Sequence, residues 1–162
     1  GIKYPTRAAN GMMSPKKTLL SAIATLAVTV SRLFAGEGWM TNIDEAKKLS
    51  KKENKPLFVE FTGSDWCPPC IMMEKKVFSK DAFKSGAKKD FILVKIDIPN
   101  SDKELKAKNQ KVLEKYKVSG VPTVILLDPK GKEFSRFTAS KFNSVDKMLA
   151  ELKQQLRRKD MF

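Results

Sequence analysis

Leu57-Phe58-Val59-Glu60-Phe61-Thr62-Gly63-Ser64-Asp65-Trp66-Cys67-Pro68-Pro69-Cys70 runs from an apolar stretch through a short polar link into a cysteine pair. It reads as a strand that delivers a dithiol to the first turn of a helix. Proline at the first helical position costs no hydrogen bond, and its fixed φ suits the start of a helix. Pro68 therefore puts Cys67 at the N-cap, where the partial positive charge of a helix N-terminus favours a thiolate. Cys70 follows one turn on, close enough to close a disulfide.

Cys67 and Cys70 are the two cysteines of the chain, and it contains no histidine. Structural zinc normally takes four ligands, so an intrachain zinc site is disfavoured. Haem attachment needs a histidine after the second cysteine, and residue 71 is Ile. A disulfide across so short a loop constrains the unfolded chain weakly, which counts against a purely structural bridge. Copper carriage by the two thiols remains a minor alternative. Thiol–disulfide exchange is the favoured chemistry, and it calls for neither a metal nor a cofactor. The lack of other cysteines suits a working pair that must not mispair.

The 162 residues suffice for one domain with a real core and are too few for two comfortable ones. Residues 1–11 precede the first methionine, Met12, and read as an upstream remnant or a misassigned start. Residues 12–35 have the pattern of a secretory signal peptide. Lys16-Lys17 is followed by an uncharged run from Thr18 to Val30, and cleavage is expected after Ala35. Leu33 is less typical than Ala three residues before that cut. The apolar run is short for a membrane span, so an uncleaved N-terminal anchor ending near Arg32 is the weaker reading. A buried helix of the mature fold is the third. Residues 36–162 are then a single domain. Export of a dithiol protein points to a bacterial periplasm, where a partner must supply or remove electrons.

The formal charge is +14, from 32 Lys and Arg against 18 Asp and Glu. Lys3, Arg7, Lys16, Lys17 and Arg32 lie in residues 1–35 with no acid, which leaves +9 for the remainder. Such an excess invites a nucleic-acid reading. The lysines are scattered, however, and alternate with acids on predicted helix surfaces. No zinc finger or RNA-binding motif accompanies them. A solvated basic surface is expected, with no nucleic-acid partner.

Around the dithiol the pattern alternates helix and strand. Thr41 with Asp44 predicts a capped first helix, with Trp39 before it as a hydrophobic anchor. Met72, Met73, Val77 and Phe78 put the core face on a helix over 68–78. A short helix over 79–86 should turn Ala82 and Phe83 inward. The run from Phe91 to Ile98 is rich in β-branched residues and predicts a central strand. Ser101 with Glu104 caps the next helix, to about Lys117. Thr123–Leu127 is a strand, Asp128-Pro129-Lys130-Gly131 a turn, and 132–137 a partner strand. Asn143 with Asp146 caps the last helix. A helical crossover between the first two strands argues for parallel pairing and the tight turn for a hairpin. The expected fold is α/β, a central mixed sheet flanked by helices on both faces.

Over about residues 39–158 the chain resembles the thioredoxin superfamily. Trp66-Cys67-Pro68-Pro69-Cys70 after a strand, Val121-Pro122-Thr123 before the hairpin, and their separation across a strand–helix unit carry that resemblance together. Phe61-Thr62-Gly63-Ser64-Asp65-Trp66-Cys67 is similar to exported thioredoxin-like proteins of the DsbH type. Relative to ordinary thioredoxins it has one extra residue before the cysteine. Cys-Pro-Pro-Cys departs from thioredoxin's Cys-Gly-Pro-Cys and leaves the redox potential open.

The resemblance implies a thioredoxin fold and a set of roles. Cys67 is expected to be the attacking thiolate and Cys70 the thiol that resolves the mixed disulfide. Glu60 and Lys95, each interrupting an apolar strand, correspond to a buried acid and its lysine neighbour, and the acid could take the proton of Cys70. The competing reading has Glu60 facing water on an alternating strand. Pro122 is expected to be cis, with Val121 offering main-chain hydrogen bonds to an extended substrate and Thr123 shaping the groove. Trp66 is expected to shield the disulfide or form an apolar ledge for substrate, with a plain core role as the alternative. The implied enzyme is an exported thiol:disulfide oxidoreductase, reducing rather than oxidising, since Pro69 fits reductive relatives. Its partners are disulfide-containing exported proteins and a membrane electron donor of the DsbD kind. No dimerisation domain is visible, so a monomer is expected and isomerase activity is less attractive. The alternatives are a binding or metal-carrying protein without turnover, or an isomerase or oxidase.

Overall fold

The computed structural model describes residues 38–161; the upstream segment, the expected signal and its cleavage site lie outside the described residues. The first described residues run extended along an edge of the sheet. Met40 N donates to Leu93 O and Lys95 N donates to Met40 O, both at 2.8 Å. α1 (Ile43–Glu53) starts where Asn42 Oδ1 accepts the amides of Asp44 and Glu45. It stops at Asn54, whose left-handed backbone (φ 50°) ends the helix.

The element order is α1, β1 (Leu57–Thr62), α2 (Pro68–Met73), a π-helical turn (Glu74–Phe78), α3 (Asp81–Lys88), β2 (Ile92–Asp97), α4 (Lys103–Lys115), β3 (Thr123–Leu127), β4 (Glu133–Thr138), a 3-10 turn (Ala139–Lys141) and α5 (Val145–Asp160). The sheet order is β2-β1-β3-β4. β1 is parallel to β2, as the helical crossover requires, and antiparallel to β3. The β3–β4 hairpin is antiparallel. Its turn is held by Asp128 Oδ1, which accepts the amides of Lys130 and Lys132, and Gly131 takes the positive φ of 83° that the turn needs. The mixed sheet is thus as expected.

Every residue of β1 is buried, because both faces of this central strand are covered. Side chains alternate across it. Phe58 packs with Leu93, Val124, Leu126 and the buried residues of the α2–α3 and α5 side. Leu57, Val59 and Phe61 pack with Val94, Ile96, Ile125 and residues of α1 and α4.

Several local expectations are corrected. All three predicted caps fall one residue early: Asn42, Asp102 and Ser144 cap α1, α4 and α5 in place of Thr41, Ser101 and Asn143. Each pair holds two cap-competent residues side by side, and the backbone turn selects the second. Trp39 does not anchor α1. It lies on the opposite face, with ring centroids 5.9 Å from both Phe58 and Phe78. The helix over 68–78 changes to a π turn at Glu74, which brings adjacent Val77 and Phe78 both inward. In α3, Ala82 is exposed and Ala87 is buried with Phe83. No helix among the described residues is long and apolar enough to cross a membrane.

Candidate active site

β1 ends at Thr62, and the amides of Trp66 and Cys67 both fold back to Gly63 O. This turn places Cys67 at the N-cap of α2, where its sulfur accepts from Cys70 N at 3.3 Å. Cys67 and Cys70 are joined in a disulfide, with Cα atoms 5.2 Å apart. Pro68 and Pro69 occupy the first two helical positions and carry no N–H. One main-chain donor of the first turn, Cys70 N–H, therefore reaches Cys67 Sγ. Cys70 is the more enclosed, at 1% exposure against 4% for Cys67, and Gly63 N–H points to its sulfur at 3.5 Å.

Trp66 is 41% exposed, so the core alternative fails for it. Its indole lies flat over Gly63, and Nε1 donates to Ile98 O at 2.7 Å. A Cβ at residue 63 would stand 2.6 Å from Trp66 Cζ2 and 2.7 Å from Nε1, so only glycine leaves room for this placement. Gly63→Ala is expected to push the indole outward, since its outer face is free. The cost should be about 0.5–1.5 kcal/mol, the worth of the lost hydrogen bond. A red-shifted tryptophan emission with a small drop in the unfolding midpoint checks this.

Across from the disulfide, the Val121–Pro122 peptide bond is cis, as the resemblance implied. Val121 O lies 3.8 Å from Cys67 Sγ. Thr123 Oγ1 donates to Gly120 O at 2.6 Å and braces the bend before β3. Arg136, which the sequence reading did not single out, donates to Lys117 O and Tyr116 O at 2.8 and 2.6 Å. Glu133 holds the same guanidinium through both its oxygens. Nothing in the local sequence marks Arg136, because its partners are main-chain carbonyls some 20 positions away in sequence.

Behind the disulfide, Glu60 is completely buried, so it does not face water. It is directly opposite Lys95 in the β1–β2 register. The ammonium, however, stands 4.0 Å from Glu60 Oε2 and 2.7 Å from Glu74 Oε2 on the π turn. The expected Glu60–Lys95 pair is thus a three-member cluster in which Lys95 is committed to Glu74, with its charge 5.0 Å from the Trp39 ring centre. Both Glu60 oxygens lack a protein hydrogen-bond partner. Burial pushes the Glu60 carboxyl up to about 8; Lys95 opposes the rise, and Glu74 and Asp97 add to it. A cavity of about 350 Å³ adjoins this cluster, lined by Thr62, Ser64, Cys70, Glu74 and Lys95 among others. Glu74→Gln should free Lys95 for Glu60 and lower the Glu60 pKa. A carboxyl titration followed by infrared difference spectroscopy should move to lower pH; an unmoved titration would show that Glu74 does not compete.

Among the described residues no cluster of three His, Cys, Asp or Glu side chains forms a metal site. What the site does hold is a disulfide at a helix start, a cis-proline loop facing it and a buried acid on the sheet below.

A four-stranded mixed sheet bearing a cysteine pair at a helix start, opposite a cis-proline, defines a protein of thioredoxin fold. The chain belongs to the thioredoxin-like family, whose sequence pattern matches residues 38–129, more than half of its length. It is 37% identical over 95 residues to the disulfide bond reductase DsbH of Chlamydia pneumoniae, covering 57% of each chain. It is 29% identical over 129 residues to the thioredoxin-related protein DsbJ of the same organism, covering 72% of this chain and 37% of that one. The chain thus spans about half the length, or less, of these curated relatives. Among solved structures, a DsbH oxidoreductase superposes with a TM-score of 0.65 at 31% identity, over 74% of this chain and 83% of that one.

Proposed function

We propose that this protein is an exported reductant of protein disulfides. One observation carries the direction of electron flow. A strong oxidant needs a heavily stabilised reduced form, with several donors on the attacking thiolate. Here Pro68 and Pro69 remove two of the first-turn donors, and Cys70 N–H alone reaches Cys67 Sγ. The Chlamydia pneumoniae relative, a disulfide bond reductase, supports the same direction.

Reduced Cys67 attacks a substrate disulfide through its thiolate. A mixed disulfide forms and one substrate thiolate leaves. Cys70, its proton passed to Glu60 in the ionised fraction that grows as pH approaches 8, then attacks Cys67 Sγ and releases the second substrate thiolate. The product is the Cys67–Cys70 disulfide seen here. Two electrons have moved to substrate, and a donor dithiol must return them. Trp66 offers the apolar ledge, and Val121, Pro122 and Thr123 the opposite wall, for an extended substrate segment. The partners are exported proteins with disulfides and a membrane donor of the DsbD kind. The protein works as a monomer in the periplasm after residues 12–35 are removed.

Equilibration with glutathione tests the direction. A potential near that of thioredoxin, about −270 mV, is expected; one near the strongly oxidising disulfide donors, about −120 mV, would reverse the assignment. Catalytic turnover of a disulfide substrate with excess reductant tests the class. Stoichiometric copper or zinc binding without turnover would favour a metal carrier instead.

A further inference from the structure

We propose that Asp65 is a positioning residue for exchange with protein substrates: by binding the loop between β2 and α4, it holds the carbonyl that fixes Trp66 beside Cys67. The inference deepens the functional reading above and rests on it.

Three successive residues of the link before the dithiol cross to the end of β2 and the loop that follows it. Ser64 donates through N and Oγ to the Asp97 carboxylate, at 2.9 and 2.5 Å. The two oxygens of Asp65 accept Asn100 N–H and Ser101 N–H, each at 2.8 Å. Trp66 Nε1 donates to Ile98 O, which lies between those two anchor points in sequence. The loop Ile98-Pro99-Asn100-Ser101 has no helix or strand ladder of its own beyond Ile98 N–H, which reaches Thr62 O. Asn100 and Ser101 thus find their main-chain acceptor in a single carboxylate. The amide of Asn100 first, with the Ser101 side chain and amide, holds that carboxyl below the usual range, so it is ionised at neutral pH.

The anchors are not equivalent. The root of the loop is held independently, because Asn109 Nδ2 donates to Asp97 O at 2.6 Å from α4. Lys106 Nζ reaches the Asn100 side chain at 2.6 Å, which leaves the Asn100 amide to Asp65. Loss of the Asp65 carboxylate therefore removes both main-chain bonds of Asn100 and Ser101 and leaves the segment tied by the Lys106–Asn100 side-chain contact, while the sheet and α4 stay in place. Ile98 itself stays buried with its N–H on Thr62 O, but the peptide that carries its carbonyl toward Trp66 loses its brace on the Asn100 side, and an indole that is 41% exposed follows that carbonyl. A wall of the groove set loose beside Cys67 matters for a large, extended substrate. It matters little for a small disulfide that needs only the sulfur.

The test compares wild type, Asp65→Ala, Asp65→Asn, Trp66→Ala and the Asp65→Ala/Trp66→Ala double variant. Insulin serves as the protein disulfide, 5,5′-dithiobis(2-nitrobenzoate) as the small one, and glutathione as the redox reference. Asp65→Ala should lower kcat/KM for insulin about tenfold, in keeping with the cost of a misplaced contact near the reacting atoms. The small-disulfide rate and the glutathione equilibrium should stay within about twofold. Trp66 fluorescence, taken as the difference from Trp66→Ala, should shift toward an exposed indole. Asp65→Asn, which keeps one acceptor, should fall between. In the Trp66→Ala background, Asp65→Ala should add no further loss on insulin. Equal losses on both disulfides, or a moved glutathione equilibrium, would mean that Asp65 acts through the field at Cys67 and would overturn the proposal. An additive loss in the double variant, or an unmoved Trp66 signal, would also overturn it. A wild type that turns over neither disulfide instead overturns the functional reading, and this inference with it.

Discussion

Cys67→Ser is expected to abolish turnover of disulfide substrates, and Cys70→Ser to stop it half-way with partner proteins covalently attached. The two sulfurs occupy different places. Cys67 sits at the N-cap with Cys70 N–H on its sulfur and Val121 O of the cis-proline loop at 3.8 Å. Cys70 lies one turn inward, against Gly63 and the cavity that leads to Lys95. A serine hydroxyl at 67 is not ionised at neutral pH and forms no disulfide, so the rate should fall by about three orders of magnitude or more. Cys70→Ser retains the attacking thiol but cannot resolve what it makes. The measurement is non-reducing electrophoresis of each variant after incubation with periplasmic extract, alongside insulin reduction rates. Adducts on Cys67→Ser and none on Cys70→Ser would exchange the two roles.

Glu60→Gln should remove a fall in stability that wild type shows between about pH 5 and 8. The Glu60 carboxyl is raised from an ordinary value of 4.5 to about 8 in the folded protein. In that window the folded state keeps the proton and the unfolded state has lost it. Stability therefore declines as pH rises, by about 1.4 kcal/mol per unit. Below the ordinary value both states are protonated and the full stability is present; above about 8 both are ionised and the loss is complete. The whole effect is of order 4–5 kcal/mol. Glutamine has nearly the same shape and no charge, so its denaturation midpoint should be flatter with pH and higher than wild type at pH 8. Urea unfolding of the reduced proteins at pH 5, 6.5 and 8 reads this directly. Parallel curves for the two proteins would place Glu60 in contact with water or with an unseen partner. The same variant tests its part in exchange. If Glu60 takes the Cys70 proton, resolution of a pre-formed mixed disulfide should slow and lose its inflection near pH 8 in Glu60→Gln.

Much of the site was readable before the fold was known. Two cysteines separated by two prolines, after an apolar run, carry their own local geometry, because proline sets φ and removes donors wherever it stands. The strand order was partly legible for a similar reason. A helical crossover forces parallel pairing, and a four-residue turn forces a hairpin. Glu60 and Lys95 stood out because a charge in an apolar strand needs an account. Only the backbone settled which of two adjacent polar residues caps each helix, since Thr41 and Asn42, Ser101 and Asp102, and Asn143 and Ser144 are chemically alike in that role.

The amino-acid sequence by itself determined the dithiol, its place at a helix start, the class of fold and the absence of donors on Pro68 and Pro69. Those properties are local, or follow from chain connectivity. Tertiary structure decided the rest. Lys95 turned to Glu74 because a π turn brings that carboxylate within 2.7 Å, whereas its register partner Glu60 remains at 4.0 Å. Trp39 went to the face opposite α1 because side chains alternate along an extended segment. Asp65 found two amides 35 and 36 residues away. Contacts of this kind depend on which loops the sheet order brings side by side, and no spacing along the chain encodes them.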